Sequence, residues 1–468
     1  MTETTSIRPT RRAFLRLLAL GGGSLALAAC APAAAPSPPA APKAAPTEAP
    51  KPAAPAATPA PAAAATTAPV ATQAPAKQGK VILNIWAHWA GKQDEVWRAL
   101  IDDFNKSQSD TEIKLSNIPL ADMWTKVLAA IAAGSPPDSY TSAAMIRPEL
   151  VKEKTIDPMD KYGKRPADMY KVFDVQTVID GAWYGVPTNG GLCALFYNED
   201  LYKKMGLDPD KPPTTWDELT TQAKKLTDLG QNQFGIAVPA KPYSWTVEVW
   251  YGFLLEAGGE FLTPDNSQSA FNSDAGVQAL QFWVDLIQTH KVAPLASLDN
   301  NGLLSNYQTG KVGIFPYYPV ATTTVATYSM KSRTAPLPKK ARQGTHFAGG
   351  YMPMMAGGKN KEALWKFFDW WMRPENNARW CAETGGLPIR QGATDHQLYQ
   401  DYLKKQPMVK AFLDSMDFAK PLPMVIGISE MEQVVSEAIE SAVYVKAKSK
   451  DALDHAATKV NDVIKKYK

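Results

Sequence analysis

Three aromatic clusters carry the residue types that could grip a small molecule. His88-Trp89 follows the apolar run Val81-Ile82-Leu83-Asn84-Ile85-Trp86, Tyr243-Ser244-Trp245 follows Pro242, and Tyr317-Tyr318 lies between Pro316 and Pro319. Aromatic faces stack on apolar C–H surface, and His, Ser and Tyr both donate and accept hydrogen bonds. Together they suit a ligand with apolar faces and an edge of hydroxyls. The flanking prolines would lock the third cluster and turn one ring inward. The first two clusters also have a plain packing explanation: His88 as a satisfied core histidine, Trp89 as packing between segments, Trp245 against Trp250.

Catalysis has no comparable signature. The chain holds 46 acidic residues, but no motif presents the flanking carboxylate pair of a glycoside hydrolase. A Gly-x-Ser-x-Gly elbow and a zinc-protease helix motif are both missing from the sequence. The five histidines (88, 290, 346, 396, 455) show no metal-ligand spacing. The expectation is a non-enzymatic protein without metal or cofactor.

Alternating β and α patterns would position these clusters. Val81–Trp86 reads as a buried strand, residues 92–106 place Val96, Leu100 and Phe104 on one helical face, and 111–118 reads as a second strand. Residues 124–133 read as a helix ending at Gly134-Ser135-Pro136-Pro137. Thr215-Trp216-Asp217-Glu218 has the form of a capping box. Val277, Leu280, Val284 and Ile287 share a helical face, as do Leu364, Phe367, Phe368 and Trp371. The succession implies an α/β protein over a mostly parallel sheet.

The first 79 residues differ from this body. A charged segment with Arg11-Arg12 precedes 13 apolar residues, Leu17 to Ala29, too few for the roughly 20 of a membrane span and right for a signal-peptide core. Leu27-Ala28-Ala29-Cys30 resembles the bacterial lipobox, and Arg-Arg-x-Phe-Leu resembles the twin-arginine export signal. Residues 1–29 thus read as a signal peptide and Cys30 as the lipidated residue. Four Arg and one Glu lie in that leader, so its removal takes the net charge from +4 to +1. A near-neutral chain has no general electrostatic attraction to nucleic acid or an anionic membrane. Of residues 31–79, 22 are Ala and 13 are Pro, and none is aromatic. Such a stretch cannot bury enough apolar area to order itself, and 30–79 reads as a lipidated cysteine and tether. At ~3.1 Å per residue the tether would span on the order of 150 Å.

The body resembles the solute-binding proteins of ABC importers, in the sugar-carrying, maltose-binding-protein-like group. Gly134-Ser135-Pro136-Pro137-Asp138 resembles the family's Gly-x-x-Pro-Asp turn, and Trp183-Tyr184-Gly185-Val186-Pro187 through Phe196-Tyr197-Asn198-Glu199-Asp200-Leu201 its crossing segment. Pro212-Pro213-Thr214-Thr215-Trp216-Asp217-Glu218-Leu219, Gly310-Lys311-Val312-Gly313-Ile314-Phe315 and Gly349-Gly350-Tyr351 follow in the family's order. The matches span about 81 to 390.

The resemblance implies a two-lobed, hinge-linked periplasmic-binding-protein fold. Lobe 1 would be 80–190 plus 348–387, and lobe 2 would be 191–347 plus 388–468. It also implies site residues. His88 and Trp89 fall at family ligand positions, as do Ser142 and Met145, where Met replaces a common polar contact. Asn189 lies with Gly190 and Gly191 in the first hinge, and Gly350 and Tyr351 lie at the second. Tyr243, Trp245 and Tyr317 would face them from the other lobe. Arg390 would grip a hydroxyl pair or an acidic group, or else be a surface Arg. Met424 stands where family members often carry an aromatic.

The implied function is capture of a sugar or oligosaccharide by lobe closure and delivery to an ABC permease, by a monomer anchored through its lipid on the outer face of the membrane. Glycerol phosphate, which wants Arg or Lys, and polyamines, which want several cleft carboxylates, are the alternative solutes. An exported glycoside hydrolase is a more distant one. Cys193 and Cys381 are expected to be small buried residues, with a disulfide as the alternative.

Overall fold

A computed structural model describes residues 79–468, apart from 143–146 and 296–298. The signal peptide, Cys30 and almost all of the tether therefore lie outside the described residues, as does Met145. Among the described residues no helix is long and apolar enough to cross a membrane.

Val81–Ala87 is a strand whose Leu83, Ile85 and Ala87 are buried, the period-two pattern of a sheet face. Trp86, one step out of phase, is half-buried. Thr111–Asn117 and Ser139–Tyr140 pair parallel on either side of it, giving the expected parallel sheet. The Lys92–Ser107 helix covers that sheet with Val96, Trp97, Leu100, Ile101 and Phe104. Asp94 and Glu95 sit in its first turn and Lys106 in its last, matching the helix dipole.

The second sheet is mixed rather than parallel. Its order is Ser332–Ala335, Ala194–Asn198, Val312–Tyr317, Phe234–Ile236, and Ala194–Asn198 runs antiparallel to both neighbours. Only Cys193 separates Ala194 from the strand before it.

That preceding strand, Gly185–Leu192, pairs antiparallel with Thr345–Met355, from Phe347↔Leu192 to Pro353↔Gly185, with a register shift between Gly350 and Tyr351. Gly190 also exchanges two backbone hydrogen bonds with Leu387, at 2.8 and 3.0 Å. Three chain segments thus run side by side at Asn189–Gly191, Ala348–Gly350 and Leu387.

Local expectations meet the structure with small shifts. Thr215 Oγ1 accepts from the Glu218 amide at 3.2 Å, but the Glu218 carboxylate returns to the Thr214 amide and hydroxyl, both at 2.7 Å. In the Asp274–Val284 helix the buried residues are Gly276, Ala279, Leu280 and Trp283, with Val277 and Val284 only half-buried. Trp371 is buried 4.8 Å from Trp97, while neighbouring Trp370 lies over Phe104 at 5.6 Å. The final helices, Ile428–Val443 and Ser449–Tyr467, pack together and are tied to 269–288 by Asn461, Asp454 and the Val443 carbonyl. Cys193 and Cys381 are both buried and free, so no disulfide joins them.

Trp380 lies at the centre of the indole cluster, 5.1 Å from Trp89, 5.8 Å from Trp97 and 5.6 Å from Trp371. Trp380→Ala is expected to cost about 3–5 kcal/mol of stability, through lost burial and the cavity it leaves. Urea denaturation checks this; a loss below about 1 kcal/mol would mean that the cluster is loosely packed.

Candidate functional site

Two cavities flank the place where the three segments meet, and Ala348 lines both. The first, about 180 Å³, is walled by Trp89, Asn189, Tyr318, Thr384 and the glycines 190, 191, 349, 350 and 386. The second, about 300 Å³, is walled chiefly by Arg147, Glu149, Tyr243, Glu248, His346 and Glu432.

Close backbone approach shapes the first cavity. A Cβ on Gly350 would come within 2.3 Å of Thr188 Oγ1, and one on Gly190 within 3.1 Å of both Phe173 and Phe347. Asn189 Oδ1 accepts from the Thr188 hydroxyl at 2.9 Å, which orients its amide. Trp89 lines the cavity while packing on Trp380 at 5.1 Å, and the His88 ring lies beside it at 4.1 Å. His88 itself is fastened: Nδ1 lies 2.7 Å from Thr141 Oγ1 and 3.1 Å from the Thr141 carbonyl. It lines neither cavity.

Strand alternation decides between the two tyrosines. Tyr317 points back to Trp245 at 5.2 Å and Phe315 at 5.8 Å and is 6 % exposed. Tyr318 therefore points the other way, lines the first cavity, and places its hydroxyl 2.6 Å from His346 Nδ1. Trp245 is buried against Tyr317 and Tyr243, not against Trp250, and lines neither cavity. Tyr243 lines the second.

Three other expected residues have structural duties. The Ser142 and Tyr351 backbones form an isolated antiparallel bridge, with bonds of 2.8 and 3.1 Å. The Tyr351 ring is fully buried and its hydroxyl donates to Gln176. Arg390 grips Asp168, with Nε to Oδ2 at 3.0 Å and Nη2 to Oδ1 at 2.7 Å, and donates to the Met372 carbonyl. Neither Tyr351 nor Arg390 lines either cavity. From Pro421-Leu422-Pro423-Met424, Leu422 reaches the second cavity; Met424 lines a separate one with Tyr251 and Phe261.

Carboxylates are what sequence reasoning missed. Glu149, Glu248 and Glu432 all wall the second cavity. Burial raises the pKa of Glu248 and Glu432, and the nearby Glu248 charge raises Glu432 further. The available signal was Glu248 itself, an acid within the otherwise apolar Ser244–Leu255 run. Burial also keeps His88 and His346 neutral, lowering His88 to about 4 and His346, which lines the second cavity, to about 3. Among the described residues no group of His, Cys, Asp and Glu could hold a metal ion.

Two sheets with their helices, joined by side-by-side strands that carry a glycine-lined cavity, define a two-lobed α/β ligand-binding protein. A family model for bacterial extracellular solute-binding proteins matches residues 89–378, and the chain belongs to that family. It is 23% identical over 404 residues to a binding protein of Brucella abortus (strain 2308), covering 85% of this chain and 96% of that one. It is 27% identical over 305 residues to the sn-glycerol-3-phosphate-binding periplasmic protein UgpB of Escherichia coli (strain K12), covering 60% and 67%. The crystal structure of a cyclic alpha-maltosyl-1,6-maltose binding protein from Arthrobacter globiformis superposes with a TM-score of 0.74 at 27% identity, over 83% of this chain and all of that one.

The depressed histidines give a pH signature. A neutral buried His88 binds fewer protons than it does unfolded, so its contribution to stability is present above about pH 6.5 and lost as pH falls towards 4. The fall in melting temperature between pH 7 and pH 5 is expected to be smaller for His88→Gln than for the parent chain. Equal slopes would show that His88 is solvated.

Proposed function

We propose that this chain is the capture component of an ABC importer, closing two lobes on a sugar or oligosaccharide and handing it to a membrane permease. The observation that carries this reading is the first cavity: the Trp89 indole, the Asn189 amide and the Tyr318 ring around glycine backbone. That combination offers stacking to C–H faces and hydrogen bonds to hydroxyls. The similarity to a cyclic maltosyl-maltose binding protein supports the same ligand class. The hinges are the segments near 189–194, 346–350 and 386–390, and the lobes are 80–190 plus 348–387 and 191–347 plus 388–468. A ligand touching both lobes favours the closed form by its differential affinity for it.

In this reading the leader exports the chain, by the twin-arginine or the general route, Cys30 holds it by lipid and tether on the outer face of the cell membrane, and it acts as a monomer. No catalytic step is assigned to it. Glycerol phosphate, suggested by the Escherichia coli relative, is the second reading. It is disfavoured by charge: a phosphate in the second cavity would meet Glu149, Glu248 and Glu432 against Arg147 alone.

A thermal-shift screen of the full chain against neutral oligosaccharides, glycerol phosphates and polyamines tests the reading, since a ligand raises the melting temperature with its concentration. A saccharide hit, recovered unchanged, is the expected outcome; a shift with glycerol phosphate alone would replace it. For the hit, Trp89→Ala and Asn189→Ala should each weaken binding by about 1–3 kcal/mol in calorimetry. Trp245→Ala should lower the melting temperature with little change in affinity. Unchanged affinity in both of the first two variants would remove this cavity from the site.

A further inference from the structure

The second cavity has an imbalance that a neutral ligand leaves standing. Glu432 is 9 % exposed, lines the cavity, and accepts no hydrogen bond from a described residue. Glu149 accepts from the Gly427 amide through Oε1 at 3.4 Å, while its Oε2 is buried without a partner. Glu248, the third carboxylate, faces the Tyr318 hydroxyl, which is shared with His346. A buried carboxylate without a donor or counter-charge is costly.

The cavity's own cations supply that charge only in part: the Arg147 charge acts on Glu432 without forming an ion pair with it. His346 is held neutral by burial. Arg147 lies over the Trp124 ring at 4.5 Å and donates to Ser429 at 3.2 Å. Among the described residues no ion pair joins it to Glu149, Glu248 or Glu432. Tyr243 adds an aromatic wall, which attracts cations as well as apolar surface.

We propose that Glu149, Glu248 and Glu432 form a subsite for a protonated nitrogen of the ligand, so that the solute is an amine-bearing saccharide. The saccharide part rests on the function proposed above; the ammonium part rests on the carboxylates alone. An ammonium has three donors and no acceptor, so it can serve several carboxylate oxygens at once. The ligand's sugar ring would lie in the first cavity and its nitrogen in the second, with Ala348 between them.

Matched probes separate the two parts. Calorimetry on the full chain would compare glucosamine oligomers with their N-acetylated counterparts, which differ in charge but share a backbone, alongside maltotriose and spermidine. The amine form is expected to bind at least about ten-fold more tightly than the acetylated form, with the difference lost in Glu432→Gln and reduced in Glu248→Gln. Both variants remove a buried charge, so their unliganded melting temperatures should not fall; Glu149→Gln gives an independent reading if either fails to fold. Equal binding of neutral and amine forms, unchanged by Glu432→Gln, would overturn the subsite and leave the saccharide reading intact. Binding of spermidine that depends on Glu432, with no saccharide bound, would support the subsite and overturn the saccharide reading. Binding of none of the amines would overturn the subsite outright.

Discussion

The antiparallel ladder between Gly185–Leu192 and Thr345–Met355 is the constraint on which the rest depends. The first cavity takes Asn189–Gly191 and Ala348–Gly350 from that ladder, with Tyr318 and Gly386 close beside it. Its glycines are a steric requirement: a Cβ on Gly349 would come 2.4 Å from the Tyr351 hydroxyl oxygen, and one on Gly386 3.0 Å from the Asn189 Cβ. Removing side chains there lets three backbones run together and leaves space that the surrounding rings and amides surround. Packing and cavity come from the same substitutions.

The ring cluster on one side and the carboxylates on the other have different physical characters. Trp97 packs edge to face on Trp371 and Trp380, Trp89 lies tilted against Trp380, and of the four only Trp89 lines the cavity. The carboxylates are a cost rather than a gain in the unliganded chain. Buried acids with raised pKa values weaken the fold as pH rises through their titration range. A fold that keeps them at a cavity wall is trading stability for recognition, the pattern expected where binding has to discriminate.

Much of the fold was legible because it is local. Period-two burial marks Val81–Ala87, the 3.6 period marks Lys92–Ser107, and the cap at Thr215 follows from hydroxyl chemistry within four residues. The site was legible only in outline. Trp89, Asn189 and Gly350 line the first cavity and Tyr243 the second, yet Tyr317, Trp245, Tyr351 and Arg390 line neither. Tyr317 and Tyr318 are equivalent as letters; only the strand's pleat, with Trp245 on one side, assigns one to the core and the other to the cavity. Arg390 looks like a free cation until Asp168, 222 residues earlier, is found beside it.

The sequence by itself thus determined the alternation of elements, the apolar faces, the glycine-marked crossings and the family, because each is written in residues near one another in the chain. The tertiary structure alone decided the direction of Ala194–Asn198, the duties of Arg390 and Tyr351, and the meeting of Glu149, Glu248 and Glu432. Those three acids lie 99 and 184 residues apart in turn, each on a different helix. Their shared cavity exists only once helices from distant parts of the chain are packed, and it is that shared burial which changes their chemistry.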